Sequence, residues 1–251
     1  GKPLEEKRVH YFPSSYRSPY HFEDTDNANI KLRSEIINKL IYDQQHYVIV
    51  TYPEALSEKL VSTQFLKNNS FTVKKGEILP IDIFINFLYE YQYKQEDFVF
   101  EPGQFAWRGA IFDIFSFSEE YPYRIELSGD TVESIRLFDT NTQLSVREVD
   151  KLHIMPLVST METVEKRVSF FDFLSPEDIF WIKKLGDVKN DLHRLFKKAN
   201  ETYEQIETTI PQLTPEELYI NEACLMQQVD NHKLIEIDST FFHHYDDSID
   251  F

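Results

Sequence analysis

The clearest folding pattern in the chain runs from Glu101 to Asp139 and reads EPGQFAWRGAIFDIFSFSEEYPYRIELSGDTVESIRLFD. Polar and apolar residues alternate in it, most regularly over 123–128, as expected of a strand with one buried face. The SGD at 128–130 is typical of a hairpin turn, because its glycine can adopt a positive φ. The stretch therefore predicts an antiparallel β-meander, and the middle of the chain is expected to be an α+β domain.

Strand and helix patterns alternate before the meander. Strand patterns at 8–12 and 47–52 flank a helix pattern that begins at Asp26 or Asn27, and Pro53 is a typical first residue for a second helix. The second strand pattern, YVIVTY, is continuously apolar, which favours a parallel strand buried on both faces. The order strand–helix–strand–helix predicts an α/β arrangement.

The segment after the meander is predicted to be mainly helical. A strand at 151–157 is expected to close the meander, and a short strand is expected at 233–238. Helices are predicted over 170–185, 187–207 and 211–229. Changes of composition near residues 69 and 157 divide the chain into three segments, 1–69, 70–157 and 158–251.

The charge of the chain is strongly acidic, with a formal net charge of −17 at pH 7. Segment 1–69 is neutral, whereas 70–157 holds 8 basic and 15 acidic residues and 158–251 holds 9 and 19. Nucleic-acid binding depends on basic side chains that neutralise phosphates, so this balance opposes it. With 41% hydrophobic residues, a single cysteine and no apolar run of about 20 residues, the sequence predicts a folded, soluble, cytoplasmic protein.

The motifs of catalysis and cofactor binding are missing from the sequence. A phosphate-binding GxxxxGK[ST] loop is absent, and the single Gly-Lys pair is Gly1-Lys2. Cys224 lies among apolar residues and is expected in the core. Asp113 and Glu126 are a candidate carboxylate pair for Mg²⁺, although Asp113 is expected to contact the backbone or an arginine instead. A candidate metal site near the end of the chain comprises His243, His244, Asp246, Asp247 and Asp250, for which a polar chain terminus is the alternative interpretation.

Two arginines, Arg108 and Arg124, are the most distinctive polar residues of the meander. One interpretation is a cross-strand ion pair with Glu126 or Glu133, which would contribute roughly 0–1 kcal/mol and carry no function. The other is a binding surface, because the rigid guanidinium fork with its five donors is a common interface anchor.

Several phrases resemble the N-terminal module of the bacterial transcription-repair coupling factors (Mfd), which is similar to the damage-recognition protein UvrB. The resemblance rests on FPSSYRSPY, EDTDNANIKLRSEIINKL, VIVTYPEAL and above all FEPGQFAWRGAIFDIFSFSEEYPYRIELSGDTVESIRLFDTNTQLS. It covers most of residues 8–157. It implies that the chain begins inside a first half-domain and is a fragment of a longer protein.

The resemblance implies a three-part fold. A degenerate RecA-like α/β domain would be formed by 1–69 (domain 1a-like) and 158–251 (domain 1b-like), with an inserted, mainly antiparallel α+β UvrA-binding domain at 70–157. It further implies that this fragment binds no cofactor, since ATP and Mg²⁺ would belong to motor domains elsewhere in the whole protein, an ATP-dependent DNA translocase. RNA polymerase and DNA would likewise be contacted by parts absent here.

The site residues implied by the resemblance lie in the meander. Arg108 and Arg124 match the arginines of the family that contact UvrA, and an aromatic family contact falls on Ser128, where Leu127, Ile125 or Phe138 is a candidate substitute. Glu101 and Gln104 are placed near the same surface by sequence. The expected function is recruitment of UvrA to stalled RNA polymerase. The alternatives are a UvrB-like nucleotide- or DNA-binding domain, and an autoinhibitory structural domain that binds other domains of its own protein.

Overall fold

The computed structural model describes residues 8–15, 19–20, 27–43, 45–117, 119–154, 167–207 and 212–237. The chain forms two compact units. The meander unit comprises Ile30–Gln44 and Thr63–Thr163, and the flanking unit comprises Gly1–Asn29, Gln45–Ser62 and Val164–Phe251. Among the described residues, no helix is both long and apolar enough to cross a membrane.

The meander unit is built on a six-stranded sheet of order β10-β9-β8-β7-β6-β5. All neighbouring strands are antiparallel except β5 and β6, which are parallel. The strands are β5 (Lys94–Gln95), β6 (Gln104–Arg108), β7 (Ile111–Phe115), β8 (Tyr123–Ser128), β9 (Thr131–Phe138) and β10 (Ser145–Glu148). The predicted meander is confirmed, and with it the α+β character of the middle of the chain.

One face of this sheet is packed against helix α4 (Ile81–Glu90). Alternate strand residues such as Phe112 and Ile125 are fully buried there, and Phe84 of α4 packs its ring 5.0 Å from that of Phe112. The alternation read from the sequence therefore marks the core face correctly. The unit also contains α1 (Asn27–Tyr42) for most of its length, and α3 (Thr63–Asn68).

The predicted hairpin turn is present between β8 and β9, where Gly129 has a φ of +62°. Close to this turn the pairing of the two strands shifts by one residue, between Glu126 and Leu127. Such a β-bulge leaves one residue of the partner strand unpaired.

The strand predicted at 151–157 exists as β11 (Lys151–Ile154), but it does not close the meander. It pairs antiparallel with β4 (Phe71–Lys74) in a separate two-stranded sheet, and β10 is the outermost strand of the meander. The expectation was wrong because Leu152 and Ile154 can be buried against either sheet, so their alternation leaves the pairing partner open.

Gly103 turns the chain into β6 with a φ of +85°, and a Cβ there would lie 2.5 Å from Cζ of Phe117. We expect Gly103→Ala to lower the free energy of unfolding by about 2–3 kcal/mol, because it combines backbone strain with a steric clash. Gly129→Ala is the matched control, since its Cβ would meet nothing within 4 Å and only the cost of the positive φ, about 1 kcal/mol, remains. Urea unfolding of both variants measures the difference, and equal losses would contradict the clash.

His153 of β11 is partly buried between polar and aromatic neighbours. Its ring stacks on Tyr42 at 4.1 Å, and its Nδ1 lies 2.9 Å from Oγ1 of Thr72. Its Nε2 is buried and has no hydrogen-bond partner among the described residues. Burial, with smaller contributions from Lys151 and Lys74, lowers the pKa of His153 below its ordinary 6.5.

A histidine with a lowered pKa in the folded state stabilises the fold above its unfolded pKa, and this stability is lost as the pH falls. We therefore expect the free energy of unfolding of the meander unit to decrease as the pH drops below about 6.5. His153→Phe keeps an aromatic ring against Tyr42 but cannot titrate, so its stability should depend less on pH. Urea unfolding at pH 8 and pH 5.5 tests this, and the same pH dependence in both proteins would contradict it.

The flanking unit contains two parallel strand pairs. β1 (Val9–Tyr11) pairs with β2 (Val48–Val50), and β13 (Ile179–Lys183) pairs with β14 (Lys233–Ile237). The first pair confirms the parallel arrangement predicted from YVIVTY. The expected burial of β2 on both faces was wrong, because Val48 and Val50 are 42% and 50% exposed, and within the described ranges β2 pairs with β1 alone.

The segment predicted as a helix over 170–185 is not an α-helix. A 3-10 turn at Phe170–Phe173 is followed by strand β13, in which Phe180 and Ile182 face the core of the unit. The signature beginning at Ser175 closes a turn instead, since the Ser175 N–H donates to Oδ2 of Asp178 at 2.7 Å. Aromatic and β-branched residues favour a strand once β14 is available for pairing.

The remaining elements of the flanking unit complete a helical layer. α2 (Pro53–Ser57) begins at the predicted proline and is followed by strand β3 (Leu60–Val61), which pairs with β12 (Arg167–Val168). The helix predicted over 187–207 is confirmed as α5 (Leu185–Glu204). The single helix predicted over 211–229 is instead two helices, α6 (Pro215–Leu218) and α7 (Glu222–Asn231), because Tyr219 is extended and pairs with Glu58 in an isolated β-bridge. The described chain is thus a mixed α/β protein.

Candidate functional site

The sheet face opposite the core of the meander unit carries the two predicted arginines. Asp113 of β7 lies directly opposite Arg124 of β8, and Ala106 of β6 lies opposite Asp113 on its other side. Arg108 is two residues beyond Ala106 and therefore shares its face. Three adjacent strands thus bring Arg108, Asp113 and Arg124 together.

Asp113 is the centre of this arginine cluster, and only 1% of the residue is exposed. Its Oδ2 accepts a hydrogen bond from Arg108 at 2.6 Å, and its two oxygens accept from Nε and one terminal nitrogen of Arg124 at 2.7 and 2.9 Å. Arg124 is thus held in a bidentate pair, which is the strongest geometry for arginine and carboxylate. The side chains of Arg108 and Arg124 remain 37% and 20% exposed.

Aromatic rings support both guanidinium groups. Arg124 lies over the ring of Phe138 at 4.2 Å, and Arg108 lies over the ring of Phe98 at 4.8 Å. Arg108 also donates to the main-chain oxygen of Asp97. These contacts fix the direction of both arginines, since each guanidinium is held by a carboxylate at one edge and a ring at its face.

The arginine cluster carries one positive charge that Asp113 does not neutralise, because two guanidinium groups share a single carboxylate. Its hydrogen bonds to Asp113 raise the pKa of Arg124 further above its usual range. The charge stands out in a segment that holds 8 basic and 15 acidic residues. An arrangement of this kind can bind a carboxylate or another anion that supplies the missing negative charge.

The predicted ion pairs with Glu126 or Glu133 are not those that the two arginines form. Glu126 instead pairs with Arg136 and accepts a hydrogen bond from Ser134 at 2.7 Å. Asp113 and Glu126 are therefore both engaged by basic side chains, which argues against the Mg²⁺ pair considered from the sequence. The expectation that Asp113 contacts an arginine is confirmed.

Among the described residues, no cluster of three or more His, Cys, Asp or Glu side chains is placed to hold a metal ion. The C-terminal candidates His243, His244, Asp246, Asp247 and Asp250 lie outside the described ranges. Cys224 is partly buried against the core of the flanking unit, as predicted, and burial raises the pKa of its thiol. A raised pKa disfavours the reactive thiolate.

Gln104 and Ser128, two other sequence-predicted site residues, lie on the strands that carry Arg108 and Arg124. Ser128 is exposed at the end of β8, four residues beyond Arg124. Glu101 is exposed in the loop before β6, and the Oε1 of Gln104 accepts hydrogen bonds from the main-chain N–H groups of Phe100 and Glu101 at 2.8 and 2.9 Å. Gln104 thus braces the loop from which Glu101 projects.

The expectation that Leu127, Ile125 or Phe138 replaces an aromatic contact at position 128 is wrong, because none of the three is exposed. Ile125, Leu127 and Phe138 are 0%, 5% and 1% exposed, because the first two are packed in the main core of the unit and Phe138 is packed in a small apolar cluster beneath Arg124. Sequence reasoning also missed Phe98 and Phe100, which are 55% and 61% exposed. The sequence pattern that indicates their exposure is the alternation in DFVF at 97–100, where buried Val99 separates two outward-facing rings.

Comparison with known protein families gives one match, which covers the meander unit's sheet. Residues 71–159, which include the whole arginine cluster, match the family model of the UvrB interaction domain. This range begins and ends close to the predicted segment 70–157.

Several bacterial proteins named transcription-repair-coupling factor are similar to the chain. The protein from Haemophilus influenzae is 26% identical over 200 residues, which are 79% of the chain and 17% of the relative. The protein from Escherichia coli K12 is 31% identical over 112 residues, 45% of the chain and 10% of the relative. One from Staphylococcus aureus RF122 is 34% identical over 161 residues, 61% and 13% respectively. The resemblance read from the sequence is confirmed, and the chain spans less than a fifth of these relatives.

Proposed function

We propose that this chain, which carries a UvrB interaction domain and is similar to transcription-repair coupling factors, is a non-catalytic module that binds UvrA. In the whole protein it would recruit nucleotide excision repair to stalled RNA polymerase. The observation that carries the proposal is the arginine cluster, in which Arg108 and Arg124 share the buried carboxylate of Asp113 and keep one uncompensated positive charge.

The cluster has donors to spare for a partner. A guanidinium offers five N–H donors. Arg108 donates from one terminal nitrogen to the main-chain oxygen of Asp97 and from the other to Asp113, and its side chain remains 37% exposed. An acidic side chain of UvrA could therefore bind Arg108 without displacing Asp113. Strands position the arginines more rigidly than a loop would, which reduces the entropy lost on binding.

We further propose that the flanking unit is a degenerate RecA-like domain. Its parallel strand pairs, β1–β2 and β13–β14, support the proposal that residues 1–69 and 158–251 are the 1a-like and 1b-like parts of a degenerate RecA-like domain. RNA polymerase, DNA, ATP and Mg²⁺ would be bound by other parts of a longer cytoplasmic protein. We propose no catalytic activity for this fragment.

An autoinhibitory role is the second candidate, and one observation favours it. Both arginines already have an internal partner in Asp113, so their presence alone does not require an external one. Another domain of the same protein could cover the exposed edge of Arg108 as well as UvrA could. The two roles make opposite predictions for the isolated chain, which would bind UvrA in one case and only the rest of its own protein in the other.

Calorimetric titration of the chain with UvrA from the same bacterium tests the proposal. We expect saturable binding that weakens as salt is raised, because a charged contact contributes to the interface. The absence of a complex by both calorimetry and size-exclusion chromatography would overturn the proposal. Hydrolysis of ATP, or salt-sensitive DNA binding without UvrA binding, would favour the UvrB-like alternative.

A further inference from the structure

The loop Asp97–Glu101, here called the aromatic loop, places the ring of Phe98 beside the arginine cluster and carries a second exposed ring, Phe100, two residues further on. Phe98 and Phe100 are 55% and 61% exposed, although large apolar side chains are usually buried. The ring of Phe98 lies 4.8 Å from the guanidinium carbon of Arg108. Exposed apolar surface is therefore continuous with the charged surface of the cluster.

The aromatic loop is held in place by the burial of Val99 and by hydrogen bonds to its backbone. Val99, between them, is 2% exposed and belongs to a small apolar cluster with Ala106, Phe115 and Phe138. Arg108 donates to the main-chain oxygen of Asp97, and Gln104 accepts from the N–H groups of Phe100 and Glu101. The loop backbone is thus ordered before any partner arrives, which lowers the entropic cost of using its rings in an interface.

We propose that the aromatic loop supplies the apolar anchor of the interface with UvrA, in place of the aromatic residue that the family resemblance places at position 128. The inference rests on the proposed function of the arginine cluster. Ser128 offers only a small hydroxyl side chain, and Leu127 and Phe138 are buried, so none of them can fill a pocket on a partner. Phe98 is both exposed and in contact with Arg108.

The chemistry of this surface defines the partner surface that fits it. Interface hot spots combine aromatic and arginine side chains, and they dock into apolar pockets that exclude water. The aromatic loop and the single uncompensated charge of the cluster together require an apolar pocket on UvrA with a carboxylate at its border. Desolvation by the rings would strengthen the ion pair made by Arg108.

Phe98→Ala and Phe100→Ala test the inference by calorimetric titration with UvrA. We expect each variant to weaken binding about tenfold, as is typical for an anchor residue. Ile83→Ala is the matched control, since Ile83 is 62% exposed on α4, the helix that packs on the opposite face of the sheet. Both loop variants should keep the wild-type melting temperature within a few degrees, because the deleted rings are largely exposed.

The heat-capacity change of binding shows whether Phe98 contacts UvrA directly or only holds Arg108 in position. If UvrA buries the ring of Phe98, Phe98→Ala makes the heat-capacity change of binding less negative, because less apolar surface is removed from water. A weaker affinity with an unchanged heat capacity would show that Phe98 only orients Arg108 and would overturn the inference.

The outcomes also separate the inference from the function on which it rests. If wild-type chain binds UvrA and Arg108→Ala abolishes binding, but both loop variants bind as tightly as Ile83→Ala, the recruitment role stands and the aromatic loop is excluded. If the wild-type chain does not bind UvrA, the proposed function and the inference about the aromatic loop are both overturned.

Discussion

Arg108→Ala should weaken UvrA binding at least about thirtyfold while leaving the fold intact. Removing one member of a desolvated charged contact typically costs about 2–5 kcal/mol of binding free energy. The fold should survive, because Arg124 makes two hydrogen bonds to Asp113 and continues to neutralise it. Truncation of Arg108 alone is therefore a cleaner test than replacing both Arg108 and Arg124 by glutamate. The double replacement would place two further carboxylates beside the buried carboxylate of Asp113.

Calorimetry with UvrA measures the affinity, and circular dichroism and urea unfolding check the fold of the variant. Arg194→Ala is the charge-matched control, because Arg194 is 73% exposed on α5 and pairs with nearby Asp191 in an i,i+3 contact of little energetic weight. Wild-type affinity in a folded Arg108→Ala protein would exclude Arg108 from the interface. An equal loss in Arg194→Ala would show that net charge, rather than the site, governs binding.

Asp113→Ala should destabilise the meander unit by about 2–3 kcal/mol. The substitution removes the shared acceptor of two arginines and leaves their partly buried guanidinium groups facing each other across the vacant position. UvrA binding should also weaken, about tenfold, since both side chains regain the freedom that Asp113 had removed. The cluster would then carry two uncompensated charges, so the remaining binding should depend more steeply on salt.

Urea unfolding and calorimetry at two salt concentrations test both parts of this prediction. Glu126→Ala is the matched control, because Glu126 pairs with Arg136 on the same sheet face but its side chain is 35% exposed, and it should cost no more than about 1 kcal/mol. Asp113→Asn keeps the shape and should fall between wild type and Asp113→Ala. Equal destabilisation by Asp113→Ala and Glu126→Ala would show that burial of Asp113 gives it no special role.

The meander and its arginines could be predicted from the sequence because a two-residue period states directly which side chains share a face. The same logic failed for Ile179–Lys183, where an apolar run fits a buried helix as well as a strand. Its conformation is decided by pairing with β14, about fifty residues later in the chain. Pairing with a strand so far away in the chain cannot be read from the sequence of the segment itself.

The candidate site follows from the sequence in part. Periodicity places Arg108 and Arg124 on strands of the meander, but the carboxylate that they share depends on the register of three strands, which periodicity alone does not give. The exposure of Phe98 and Phe100 follows from the burial of Val99 between them. That burial requires the small apolar cluster on the outer sheet face, which only the folded arrangement shows.

The irregular pairing of β8 and β9 separates the hairpin tip from the strand register that holds the arginine cluster. Asp113 and Arg124 face each other in the regular ladder of β7 and β8, whereas the one-residue shift lies nearer the hairpin tip at Ser128. A β-bulge absorbs an added residue without moving the ladder before it. The tip could therefore change in length or composition during evolution, or accept a fluorescent label, while the arginine register stays fixed.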